Sequence, residues 1–522
     1  MKIKRIVLFS TLIFCGTLFS FSQRGTFDEH LRQMQDSFDA FVAEKESEFK
    51  AFSEKQNEEF VAFVERQWQL FEDFRLQSLA ISSPKPSKAP VAPNTQEPEV
   101  FINFSETQQP ITHATATVGG YAVQTSLSQK GAVQKCVAPS ASKRGVVQGS
   151  QVLLDFYGTR VALPFSPKLK IASRGAKEQD AALYFRNISK LTAETEALWQ
   201  AIEKQSVAFG LNEWGRFCLL RMVAEAALTN VNDRVLFCFY MLRNEGGYKA
   251  KLARGQSSGK LTLLLALDNK KEVYSYIYFT FKENNRPVKY YTVYGGGTAK
   301  ESIYSYDFCE QESVLKQMRL DFDRTLNIGK CNRHRTLKVK KLGSEIQIPY
   351  NTAHLAFLND VPMTVFPIYF VSPISLEAQQ TLNAKFGALK SKYSKQQIVS
   401  ILLNFVQTAF AYKTDEEQFG YEKYFYPEEV LGYSYSDCED RSALFAWLVK
   451  TYAGADVIGL QYEGHVATAV CLGDNVTLKG DVFPFAGKKY YVCDPTYINA
   501  SIGMTMPQFK GKTPKVINLR KK

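Results

Sequence analysis

The sequence predicts an α+β protein: antiparallel sheets carrying helices, preceded by a proline-rich spacer and a long N-terminal helix. Three observations predict it. Apolar positions recur at helical spacing in 394–412 and 436–449, and strand-like apolar runs follow in 462–471 and 488–504. Residues 100–186 and 301–375 mix β-branched and aromatic residues with Gly, Pro and Ser breaks. Residues 26–80 contain no proline and repeat phenylalanine at a fixed step. Across 522 residues, 45% hydrophobic and 22% charged is ordinary globular usage, which excludes a wholly disordered or collagen-like chain. The length suits roughly three or four domains.

At the N-terminus, Lys2, Lys4 and Arg5 precede an apolar stretch from Ile6 to Phe21, and Ser20-Phe21-Ser22 offers a cleavage site before Gln23. Residues 1–22 are expected to be a secretory signal peptide. No later stretch is apolar for long enough to span a bilayer. The mature chain is therefore expected outside the cytoplasm, periplasmic or secreted, with no membrane span after signal removal.

Segment 24–81 is expected to form one long helix. Phenylalanine stands at 38, 49, 60 and 71 and again at 41, 52, 63 and 74, with Phe27 opening the first series. Eleven residues in three turns is about 3.67 per turn, a stripe that drifts toward a right-handed supercoil. Such a helix would reach roughly 80 Å and needs a partner for its rings. Self-association through residues 26–80, as a coiled coil, is one expectation, and packing on its own body is the other. Residues 82–98, with prolines at 84, 86, 90, 93 and 98, read as a semi-extended linker.

Net charge is +12, yet residues 24–80 hold 7 basic and 13 acidic side chains. The basic excess therefore belongs to the C-terminal body. It includes the 511–522 tail, expected to be solvated or to touch an anionic envelope surface. No nucleic-acid module accompanies the charge. The cysteines include no CxxC pair, and the lone Cys331–His334 spacing has no second ligand pair, so no metal and no cofactor is expected. Cys218 and Cys238 sit in apolar runs and read as core.

The chemistry concentrates in 394–510. Ser436 and Asp437 are N-cap residue types for the helix beginning SDCEDRSALF, placing Cys438 in its first turn. Unpaired amides there favour a thiolate, Glu439 and Asp440 oppose it, and an imidazolium partner is needed. His30 falls in the long helix, while His113, His334 and His354 lack chemical company. His465 opens a strand after Gly464, and Asp494 ends the next one before Pro495. If the two strands pair antiparallel with 465 facing 494, imidazole and carboxylate lie side by side. Asp494 would then fix the tautomer while the other nitrogen faces Cys438. That register disfavours a Cys471–Cys493 disulfide. The Cys438 N–H is a natural oxyanion donor. Gln418, Tyr426 and Tyr435 in the preceding loop are candidate side-chain donors or cleft residues, with no choice among them.

SDCEDRSALF, GHVATAV and YYVCDPTYINA, in that order, resemble the transglutaminase-like superfamily of cysteine enzymes, related in core fold to papain-like proteases. The upstream EKYFYPEEVLGYSYSDCEDRS is similar to exported members from Bacteroidetes bacteria. The resemblance covers 394–510. It implies Cys438 as nucleophile, His465 as base and then acid, Asp494 as orienting residue, and a thioester on a carboxamide or peptide substrate. Hydrolysis is favoured over amine transfer, because water competes with any acceptor amine unless the cleft excludes it. The alternative expectation is a non-catalytic envelope scaffold.

Segment 187–300 repeats the order helix, helix, strands. FCLLRMVAEAAL (217–228) resembles VSILLNFVQTAF (399–410), and Leu236-Phe237 aligns with Leu444-Phe445. Asn230 then replaces Cys438, Tyr294 replaces Asp494, and no histidine occurs between 114 and 333. A degenerate copy of the catalytic domain is expected there, flanked by strand-rich modules at 99–186 and 301–393.

Overall fold

The computed structural model describes residues 145–519 apart from 269–271, 275, 297–302, 307, 309–314 and 474. It also describes Lys85, residues 88–92, Ser37, Ala40, Phe41, Glu44, Lys45, Ser47 and Glu48. The expected signal segment 1–22, most of the phenylalanine-repeat helix and positions 93–144 lie outside the described residues. The chain divides into units 1–83 and 84–522. In the first, the seven named positions are helical and Phe41 is exposed. Lys45 lies 5.7 Å from the Phe41 ring centre and bonds Glu48 at 2.8 Å, neighbours at helical spacing.

The second unit mixes helix and sheet and uses one layout twice. Its first half opens with an antiparallel meander, β1 (Gly145–Gln148), β2 (Gln151–Phe156) and β3 (Thr159–Pro164). Four helices follow: α1 (Glu178–Ile188), α2 (Thr192–Ala208), α3 (Glu213–Ala227) and α4 (Val231–Tyr240). Asn212 starts α3 by accepting the Gly215 N–H at 2.9 Å, and α3 lies on β1 and β2. A five-stranded sheet completes the half: β4 (Ala250–Gly255), β5 (Leu261–Ala266), β6 (Tyr278–Glu283), β7 (Arg286–Gly295) and β8 (Ile303–Tyr306).

The second half opens on the hairpin β9 (Arg333–Val339) and β10 (Ser344–Tyr350). Helices α5 (Thr352–Asp360), α6 (Phe366–Val371) and α7 (Leu376–Phe386) follow, then α8 (Lys395–Ala409), which packs on β9. Ser394 and Gln397 cap α8 reciprocally, at 3.3 and 2.9 Å. Short elements β11 (Ala411–Tyr412), α9 (Asp415–Phe419), α10 (Pro427–Gly432) and β12 (Tyr435–Ser436) lead to α11 (Cys438–Leu448). The closing sheet is β13 (Asp456–Tyr462), β14 (His465–Cys471), β15 (Val482–Phe485), β16 (Lys488–Cys493) and β17 (Lys515–Ile517).

The two five-stranded sheets have the same connectivity, β6-β7-β5-β4-β8 and β15-β16-β14-β13-β17, antiparallel throughout. In each, a helix crosses the second strand, α4 on β5 and α11 on β14. Each of those helices widens into a π turn, Met241–Glu245 and Val449–Ala453. Setting Leu236 on Leu444 also sets the first residue of one π turn on the first residue of the other. Every residue of β5 and β14 is buried. The helix packs on one face, and on the other the strands' own side chains bury one another in a separate apolar cluster, Ile458 and Leu460 from β13, Ala469 from β14 and Tyr490 from β16. That two-sided cover is why His465–Cys471 reads as continuously apolar rather than half-exposed.

Three segments differ from expectation. Segment 301–393 is strand only to Tyr350 and helical afterwards, and Glu178–Ile188 is a helix inside the 99–186 module. FPIYFV (366–371) has strand-like composition, but Pro367 sits at a helix-starting position and Ile368, Tyr369 and Phe370 are needed in the core, so packing overrides propensity. The 511–522 tail supplies strand β17, whose Ile517 lies opposite Gly459 and fills space a side chain there would occupy. The described part of the 82–98 linker is docked: Val91 bridges Ile498, and Ala92 is buried with Tyr497, Ala500, Met506 and Phe509.

Candidate active site

Asp440 organises the start of α11. Its Oδ2 accepts the Asp437 N–H at 3.2 Å and its Oδ1 accepts the Phe425 N–H at 2.8 Å, so one carboxylate sets the helix entry and pins the aromatic loop. Cys438 is the first helical residue and is fully buried. Its thiol donates to Glu439 Oε2 at 3.0 Å. Burial and then the Glu439 charge push the thiol well above its usual range, against a smaller opposite pull from Lys85.

His465 and Asp494 are joined at 2.7 Å, Nε2 to Oδ2, and both are buried. The ladder pairs Thr468 with Cys493, two residues away from the expected 465–494 register. An even shift keeps each side chain on its face, and the pair meets diagonally, within reach of long side chains. Asp494 Oδ1 accepts the N–H groups of Thr496 and Tyr497 at 2.9 and 3.2 Å. Gln407 on α8 donates to the carbonyls of Asp494, Tyr497 and Ala500 at 3.1, 2.8 and 3.0 Å. The His465 ring stacks on Phe509 at 5.1 Å and 8°. With Nε2 committed to Asp494, Nδ1 is the nitrogen left for proton transfer.

Helix and sheet are registered by Ser442, whose Oγ donates to the Val466 carbonyl at 3.0 Å. Cys438 lies one turn before Ser442 on the same helix face, about 6 Å along the axis, and His465 adjoins Val466. The described hydrogen bond of the thiol nevertheless goes to Glu439. Cys471 and Cys493 are free and lie in different clusters on opposite sheet faces.

A carboxylate cluster surrounds the thiol, and one cation enters it. Lys85 Nζ lies 2.6 Å from Glu439, 2.8 Å from Asp437, 2.8 Å from Glu422 and 3.9 Å from Asp415. Burial would raise Glu439, but the Lys85 ammonium, with the hydrogen bonds from Lys85, Cys438 and the backbone, holds it at about 2. Burial and neighbouring charge raise Asp440 to about 8 and Asp415 to about 9. Three overlapping sets of these groups, including Asp415, Glu422 and Glu439, bring ligand atoms within 4.8 Å of one another. That is a hard oxygen-rich donor set, and here the ammonium fills it.

The expected loop donors sit elsewhere. Tyr426 is buried between Tyr369 and Phe322, at ring separations of 4.6 and 5.4 Å, and its hydroxyl has no partner. Tyr435 is exposed, with Lys413 Nζ 5.5 Å from its ring centre. Gln418 is half-buried on α9. None of the three makes a described hydrogen bond to Cys438. His354, expected to lack company, accepts the Ile328 N–H at 3.0 Å and faces Glu428 at 3.4 Å, a buried structural pair.

Sequence reasoning missed Tyr412, Gln407 and Lys85. The Tyr412 hydroxyl is buried without a partner, and after burial the Cys438 charge is the largest influence raising its pKa. Gln407 carried a signal, an amide on the apolar face of α8. Lys85 carried none, being one lysine in a proline-rich spacer. At the matching place upstream, Asn230 caps α4 through the Asn232 N–H at 2.8 Å. Tyr294 there lies near Cys238 and Glu225 with no imidazole. No family model matches this chain, and neither the curated proteins nor the solved structures contain a match to it.

Proposed function

We propose that the protein is an exported, transglutaminase-like thiol enzyme acting on a carboxamide or peptide bond. Cys438 passes its proton to His465 Nδ1 and its sulfur adds to the substrate carbonyl. The Cys438 N–H, with the Tyr412 hydroxyl as side-chain donor, faces the oxyanion. Collapse forms the thioester and releases ammonia or an amine, which takes the proton from His465. Water or an acceptor amine then restores the thiol, and hydrolysis is favoured because water competes. The observation that carries this reading is the buried His465–Asp494 bond on the sheet that α11 crosses. The upstream half is read as a duplicate that kept the connectivity and lost the chemistry.

A second reading, a non-catalytic scaffold, draws on the complete burial of Cys438 and its bond to Glu439 rather than to the imidazole. Mass spectrometry of a peptide library, with and without added primary amine, separates the two. Wild type is expected to give Cys438-dependent products that Cys438→Ala lacks. A loss of about 17 Da with amine attached means transfer, cleaved fragments mean peptidase, and absence of any such product supports the scaffold.

A further inference from the structure

The linker is held at both ends of the candidate triad. Lys85 fills the carboxylate cluster beside Cys438. Farther along, Ala92 donates to the Ile498 carbonyl at 2.8 Å and Ile498 donates to the Pro90 carbonyl at 2.9 Å, just beyond Asp494. This is strand-like backbone pairing of the kind that docks extended peptides. Ala92 also shares a cluster with Phe509, the ring on which His465 stacks. In chain separation Lys85 is remote from every carboxylate it bonds, so local sequence does not force the contact. Asp437 is fully buried and its second oxygen, Oδ1, has no partner, leaving acceptor capacity in the pocket.

We propose that this pocket is a specificity subsite for a cationic lysine side chain on an extended peptide, and that Lys85 occupies it while residues 88–92 hold the rest of a pseudosubstrate strap. The inference rests on the thiol-enzyme reading for the word substrate, and not for the binding itself. The Lys85 amine is held as ammonium by the charges around it, so the contact is recognition of a cation and not delivery of a nucleophile. Glu439 has two tasks in this arrangement: it neutralises the ammonium through Oε1 and accepts the thiol hydrogen bond through Oε2. An occupied pocket thus sets a cation against the Glu439 charge that raises the thiol.

The test uses full-length Lys85→Ala in a Cys438→Ala background, so that binding is read without turnover. A fluorescent peptide copying residues 84–92 is titrated by anisotropy, beside versions carrying norleucine or acetyl-lysine at the position of Lys85. Expected is binding of the lysine peptide at least about tenfold tighter than either neutral version, with wild-type Lys85 protein binding none of them tightly. In parallel, Lys85→Ala with Cys438 intact should raise the pH midpoint of iodoacetamide labelling, because the ammonium that lowers the thiol is gone, while Lys85→Arg should keep the wild-type midpoint. Equal binding of charged and neutral peptides overturns the proposal. So does calcium binding by the emptied pocket without peptide binding. Peptide selectivity by a protein that turns over no library member would retain the subsite and remove only the enzyme reading. Thermal melting of each variant confirms that the folded protein is being compared.

Discussion

Because the Cys438 thiol donates to Glu439 inside a sealed site, its reactivity is set by one neighbouring charge as much as by the helix terminus. Glu439→Gln removes the charge that, after burial, does most to raise the thiol. The pH midpoint of iodoacetamide labelling at Cys438 is expected to fall by about 1–3 units, the range for a charge at this distance. An unchanged midpoint would mean that burial alone controls the thiol. Asp494→Asn is a clean companion, since an amide oxygen still accepts from Thr496 and Tyr497 and keeps the loop. Turnover is expected to drop by about 10³-fold or more while the melting temperature holds, as for loss of an orienting carboxylate. Full activity in that variant would sink the assigned role of Asp494.

At the scale of elements, two buried polar devices position the site from outside it. Gln407 reaches from α8 to three carbonyls of the 494–500 loop. Gln407→Leu removes that shared donor, leaving the Tyr497 carbonyl only the Ala500 N–H at 3.0 Å, and urea unfolding should show a loss of about 1–3 kcal/mol or more. Lys423 bonds Glu429 at 2.5 Å in a cage with Phe425 at 4.4 Å and Tyr433 at 5.0 Å. Lys423→Met strands a buried carboxylate, and a cost of about 3–5 kcal/mol is expected. These elements also show where sequence reading works. Helix 395–409 and the start of α11 were legible because apolar spacing and cap residues are local signals. The two-residue register error was not avoidable by pattern, because a period of two cannot tell one even shift from another.

For the whole molecule, the acidic pocket makes stability depend on pH in two opposed ways. Glu439 is held at about 2 in the folded protein; its contribution is present above its unfolded value and disappears as pH falls through about 2. Asp415 and Asp440 are raised to about 9 and 8. They cost stability as pH rises from about 4, their unfolded range, through those values. Lys85 is raised, so its contribution is complete below about 10.4, its unfolded value, and is lost only as pH climbs through the higher folded one. Lys85→Ala should therefore approach wild-type stability only as pH falls through about 2, where Glu439 is protonated in both. It should fall progressively behind toward pH 7, measured by urea unfolding at each pH. A gap independent of pH would mean that Lys85 acts by packing alone.

What the sequence determined by itself is what short-range physics encodes. It placed Cys438 in a helix's first turn, put His465 on one strand and Asp494 at the end of its neighbour, and aligned Leu236-Phe237 with Leu444-Phe445. Spacing and capping act over a few residues and are written in order. Tertiary structure alone decided that a lysine from a proline-rich linker enters the carboxylate cluster, that the basic tail supplies a fifth strand, and that the thiol faces Glu439. The first two join segments far apart in the chain; the third, between adjacent residues, is set by the burial and the Lys85 charge that only the folded chain brings to Glu439.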